Sequence, residues 1–113
     1  MQEMKLQPRY FEYILHGTKR VELRLNDEKR KELKIGDKIK FLKEPEHIES
    51  FYVEITNLKR YDSFDNLFNS YTIDQLSDNT MTKEDLKEEL EHFYTSEMQK
   101  KDGVLAIEFK FID

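Results

Sequence analysis

Gly17-Thr18-Lys19-Arg20-Val21-Glu22-Leu23-Arg24 is the stretch that decides the reading of this chain. Glycine is the residue that most easily takes the left-handed turn at a helix end, so Gly17 marks a stop. From Arg20 onward the pattern has a period of two: Val21, Leu23 and Leu25 alternate with Glu22, Arg24 and Asn26. That is the signature of a strand with one apolar and one polar face. Glu22 and Arg24, two residues apart, project from the same face, and Lys19 approaches them from the turn. Arginine offers a planar fork for a phosphate or a base edge, lysine a mobile point charge, and glutamate an acceptor that can hold both cations. On pattern alone the run fits an ion-pair ladder on a strand surface better than it fits a binding site.

Upstream, Met4 to Leu6 reads as a short strand. Pro8 suits a first helical turn, and Tyr10, Phe11, Ile14 and Leu15 follow at helical spacing, which predicts a helix over Pro8 to His16. Downstream, Asn26 to Lys34 is a charged connection. Gly36-Asp37 then turns the chain into a strand over Lys38 to Leu42, and Glu44-Pro45-Glu46 marks a loop. Phe51 to Tyr61 is a long strand whose alternation slips between Ile55 and Leu58, as at a bulge or bend. Ser63 opens a short helix, with Thr72 to Leu76 as a further turn. Thr82 with Asp85 forms a capping-box variant ahead of a long acidic helix, with Leu86, Leu90, Phe93 and Tyr94 on one face. After Asp102-Gly103 a closing strand runs from Val104 to Phe111, and a curled sheet in which first and last strands meet is the expected architecture.

Composition sets outer limits. The 113 residues suffice for one domain with a single core. A charged fraction of 38% is balanced by six Tyr and eight Phe, so the chain is expected to fold. There is no cysteine, and His16, His47 and His92 fall in no metal-ligand spacing, so neither metal nor cofactor is expected. No apolar stretch is long enough to span a membrane and no secretory signal opens the chain, which makes a cytoplasmic protein, monomer or weak homodimer, the expectation. The net charge of −5 is polarised: residues 1–43 carry 12 Lys and Arg against 7 Asp and Glu, whereas residues 44–113 carry 7 against 17. A basic working face on an acidic body accounts for that asymmetry, as does simple solvation.

The run Gly17, Lys19, Glu22, Arg24 resembles the Gly-x-Lys-x-x-Glu-x-Arg signature of the ASCH domain family. The likeness continues through Ile35-Gly36-Asp37, Tyr61 with Phe64, and the strand from Gly103 to Phe111. What the resemblance implies is an α+β, PUA-like fold: a small, mostly antiparallel β-barrel with helices packed against it and a cleft that receives RNA or a nucleoside. Lys19, Glu22, Arg24 and Tyr61 are then the expected binding residues, with Lys19 and Glu22 as candidate catalytic groups. A bacterial branch of the family hydrolyses N4-acetylcytidine, and some members are reported to cleave single-stranded RNA. The hydrolytic set implied there is a lysine, a threonine three residues later and a glutamate ahead of the long helix. Lys19 matches the first, Glu22 stands at the threonine position, and Asp78 or Asn79 is the nearest equivalent of the glutamate. Hydrolysis further requires a group whose pKa is brought toward neutrality. Recognition needs less: cations, a base edge to read, and a stacking ring from Tyr10, Phe11 or Tyr61, with Arg9 and Lys59-Arg60 extending the basic surface. A protein adaptor acting through the acidic helix is the third reading.

Overall fold

The computed structural model describes residues 1–112, which form five strands and six helices. In chain order these are β1 (Gln2–Leu6), α1 (Pro8–Leu15), β2 (Val21–Leu25), α2 (Glu28–Lys31), β3 (Lys38–Lys43), β4 (Ser50–Tyr61), α3 (Phe64–Phe68), α4 (Ile73–Leu76), α5 (Lys83–Phe93), α6 (Ser96–Asp102) and β5 (Val104–Phe111). The strands make one curled sheet in the order β1-β3-β4-β5-β2, an α+β half-barrel in which only the β1–β3 pairing is parallel.

First and last strands do not meet. Val104 to Ile107 are buried on both faces, and such a run belongs in a sheet interior, so β5 lies between β4 and β2. β1, with Gln2, Glu3 and Lys5 among its five residues, suits an edge instead. The two edges, β1 and β2, are joined by a side chain: the Arg24 Nη2 donates to the Lys5 carbonyl at 2.9 Å.

The slip in β4 is an irregularity of register between Ile55 and Asn57. Asp27, whose carboxylate accepts from the Arg30 amide, starts an extra helix, α2, within the charged connection. The long helix stops at Phe93, and Thr95 caps a separate α6.

Two apolar clusters flank the sheet. One, around Phe11, Phe41, Leu105 and Ile107, fills the inside of the curl with α1; the other, around Leu23, Phe64, Leu76, Leu86 and Ala106, holds α3, α4 and α5 on the outer face. Between α6 and β5, Gly103 has φ +72°, and a Cβ there would sit 3.2 Å from the Tyr61 carbonyl oxygen. Both the left-handed backbone and the contact with unyielding backbone oppose a side chain. Gly103→Ala is therefore expected to lower stability by about 1–2 kcal/mol, measured by urea unfolding; an unchanged midpoint would show that the turn relaxes freely.

Candidate functional site

The polar face of β2 points inward. Lys19 is 1% and Glu22 5% exposed, and the Arg24 side chain 15%. These three groups converge. The Glu22 carboxylate meets the Lys19 ammonium at 3.2 Å through Oε1, while Oε2 accepts from Arg24 Nε at 3.0 Å and Nη2 at 2.8 Å. Oε1 also accepts from the Leu23 amide at 3.2 Å.

The surface ladder is thus excluded, and charges this deep persist only when well paired. Lys19 satisfies that requirement completely. Its Nζ donates to the Val21 carbonyl at 2.6 Å and the Leu76 carbonyl at 2.8 Å, and Glu22 is its third acceptor. Leu76 ends α4, so the lysine ties that helix to the start of β2.

Arg24 differs. Nε and Nη2 are committed to Glu22 and Lys5, whereas Nη1 has no carboxylate or carbonyl partner among the described residues and the guanidinium has only the Tyr94 phenol beside it as a further polar neighbour. A guanidinium with two donors to spare is suited to receive an outside acceptor.

Burial would by itself raise the Glu22 carboxyl, but Arg24 and Lys19 hold it below the ordinary range. Burial outweighs the pull of Glu22 on Lys19 and lowers its pKa, with Arg24 adding to the effect. For Arg24 burial is overcome by Glu22 and the Tyr94 phenol, which raise it.

A cleft opens beside this triad. Its volume is about 200 Å³, and its walls are β1, β2, α1 and α5. Tyr10 from α1 and Leu90, Phe93 and Tyr94 from the end of α5 line it with the triad. The Tyr10 hydroxyl donates to Glu89, whose other oxygen meets Arg9 Nη1 at 3.0 Å. Glu89 thus latches α5 to α1 across the mouth. Burial, and then the Glu89 bond, raise the Tyr10 phenol far above its ordinary value, so it remains a neutral donor. The formal charges in the lining balance: Lys5, Lys19 and Arg24 against Glu22, Glu44 and Glu89.

A profile of the ASCH domain matches residues 4–113. The chain belongs to the ASCH domain family. Two solved structures share this ASCH fold over essentially their whole length. The crystal structure of the hypothetical protein PH0355 is 34% identical with a TM-score of 0.85, covering 98% of each chain. The solution NMR structure of the protein PF0455 from Pyrococcus furiosus is 32% identical with a TM-score of 0.77, covering 100% of this chain and 99% of that one. No curated protein matches.

Three of the four expected site residues, Lys19, Glu22 and Arg24, come together. Tyr61 does not join them. Arg24 pairs with Leu105 and Tyr61 with Val104, and successive residues of β5 face opposite sides of the sheet. Tyr61 therefore packs against the outer cluster and borders a separate depression. Phe11 is buried in the inner core and offers no ring to the cleft.

Neither Asp78 nor Asn79 lines the cleft; the Asp78 carboxyl is held low first by the Thr80 hydroxyl. A carboxylate that does line the cleft comes from within α5, as Glu89. Its signal was present in the sequence: Leu86, Glu89, Leu90 and Phe93 occupy one helical stripe, and Glu89 is the charged exception in it. Among the described residues there is no acidic, His or Cys group able to hold a metal, and no helix long and apolar enough to cross a membrane.

Proposed function

We propose that this ASCH domain recognises one unstacked base, presented by single-stranded RNA or by a nucleoside, in the cleft between β2 and α5. The Nη1 of Arg24, held by no carboxylate or carbonyl among the described residues, carries the reading. It stands in a cleft walled by Tyr10 and Tyr94, where a base meets both a donor for its acceptor edge and rings on which to stack. The size agrees: a cavity of about 150 Å³ accepts benzene, so about 200 Å³ suits one ring system rather than a length of strand. So does the charge, because a lining of zero net charge reads a base edge better than it gathers phosphates. ASCH domains are, as a family, generally RNA-binding PUA-like modules.

The hydrolase alternative has less behind it. Burial does lower the pKa of Lys19, as a base or nucleophile would require. Yet its three protons are committed to two carbonyls and Glu22, so it serves chiefly to fix the carboxylate.

The test is a titration of labelled protein with the common ribonucleosides, N4-acetylcytidine and a short single-stranded RNA, followed by NMR and chromatography. Shifts at Tyr10, Arg24 and Tyr94 without turnover are expected, with nucleoside binding almost indifferent to salt. Tyr10→Ala should weaken it by about 1–3 kcal/mol, the worth of one stacked base. Turnover of N4-acetylcytidine that disappears in Lys19→Ala would replace recognition with hydrolysis.

A further inference from the structure

Where β2, β4 and β5 approach the end of α6, a second depression of about 530 Å³ lies apart from the cleft. Asn26, Arg60, Tyr61, Lys100, Lys101 and Gly103 form most of its wall. We propose that it holds the phosphodiester backbone of the strand whose base occupies the cleft, an inference that rests on the recognition reading above.

The first support is charge. Arg60, Lys100 and Lys101 are exposed, and among the described residues none of them pairs with a carboxylate, although Asp62 and Asp102 share the wall. The cleft is balanced, whereas this depression is cationic by one. Lysines in the last turn of α6 also complement the helix carbonyls, which accounts for Lys100 and Lys101 but not for Arg60, a residue of another element.

The second support is Asn26. It is 9% exposed, and its Oδ1 is buried with no hydrogen-bond partner. An amide left unsatisfied costs about 1–3 kcal/mol, and in native folds such groups are met by water, an ion or a ligand. No neighbouring side chain fixes this amide, so its Oδ1 can accept from a sugar hydroxyl while its NH2 donates to a phosphate oxygen.

The third support is register. Arg24, Leu105 and Arg60 form one row across β2, β5 and β4, and residues in such a row share a face. Asn26 follows Arg24 by two residues and continues on that face. Two strand spacings separate Arg24 from Arg60, about 10 Å, or roughly three stacked nucleotides at ~3.4 Å each. Leu105 between them is buried in the inner core, so the way out of the cleft follows the edge strand β2, where Asn26 of the second depression lies two residues, about 7 Å, beyond Arg24.

The experiment compares the wild-type chain with the triple variant Arg60→Gln, Lys100→Gln, Lys101→Gln. A control triple carries Lys29→Gln, Lys34→Gln and Lys38→Gln, three exposed lysines elsewhere. Anisotropy titrations use labelled single-stranded RNA of about eight nucleotides, enough to span both sites at ~3.4 Å per nucleotide. DNA of the same sequence forms a second arm and a free nucleoside a third. The expected result is a roughly tenfold loss of oligonucleotide affinity in the first triple and a salt slope shallower by about two, at ~0.7 per phosphate contact. The control is expected to lose little, and nucleoside binding to stay as in wild type. Whichever oligonucleotide shows this dependence identifies the sugar preferred. Equal losses in both triples, or none in either, overturn the inference while nucleoside binding keeps the cleft reading alive. A wild-type chain that binds neither nucleoside nor oligonucleotide overturns both.

Discussion

Replacing Glu22 with glutamine is expected to destabilise the fold by about 3–5 kcal/mol, the cost of stranding buried charges by removing their partner. Glu22 is the common acceptor of Lys19 and Arg24, both largely withdrawn from water. The amide keeps the shape of the carboxylate and loses its charge, so two cations would face each other uncompensated. Against a total stability of about 5–15 kcal/mol for domains of this kind, that is a large share. The effect should depend on pH. The folded pKa of Glu22 lies below the ordinary 4.5, so the unfolded chain binds its proton more tightly. Its contribution is fully present above pH 4.5 and is lost as pH falls through the folded value. Wild type and variant should therefore converge in acid, other carboxylates cancelling in the difference. Urea unfolding of both proteins from about pH 7 downward measures this, and a gap under about 1 kcal/mol at neutral pH would mean that water screens the triad. Adding Lys19→Met to the variant should cost less than the sum of the single changes, because the stranded charge goes with it.

Much of this fold is legible because its signals are local. The period-two run of β2, the Gly17 stop, the Ser63, Thr72 and Thr82 caps and the slip in β4 are each read within a few residues. What stays hidden is non-local. Alternation along β2 shows that Glu22 and Arg24 share a face, but only the curl of the sheet decides whether that face looks outward or in. Sequence order suggests that first and last strands meet; burial of Val104 to Ile107 on both sides puts β5 in the interior instead. Family position draws Tyr61 toward the site, and its parity relative to Arg24 across β5 sends it to the other face. Glu89 is readable as a misplaced charge in an apolar stripe, yet its partner Tyr10 lies on a helix 79 residues earlier.

These outcomes divide the site into two layers. Lys19 and Glu22 have no valence to offer a ligand: every donor of one and the favourable positions of the other are filled from within. Their work is to set Arg24 at the cleft floor, where it also bridges the open edges of the half-barrel through Lys5. On the proposed reading a residue so placed would couple ligand binding to sheet closure, and the demand on it would be geometric rather than merely electrostatic.

Arg24→Lys separates the two demands. Lysine keeps the charge beside Glu22, so the loss of stability should be smaller than for Glu22→Gln. It cannot give Glu22 a two-pronged contact, reach the Lys5 carbonyl and still present donors to a ligand. Affinity for the nucleoside or RNA that fills the cleft is expected to fall by roughly ten- to hundredfold, in line with ~1–3 kcal/mol for an arginine reading a base edge. Calorimetric titration, with unfolding curves for the same preparations, distinguishes lost contact from lost fold. If Arg24→Lys binds as tightly as wild type, Nη1 is not what meets the ligand, and the base must enter by the aromatic wall alone. If affinity falls while the unfolding midpoint barely moves, the uncommitted donors of one buried arginine are what this ASCH domain uses to recognise its ligand.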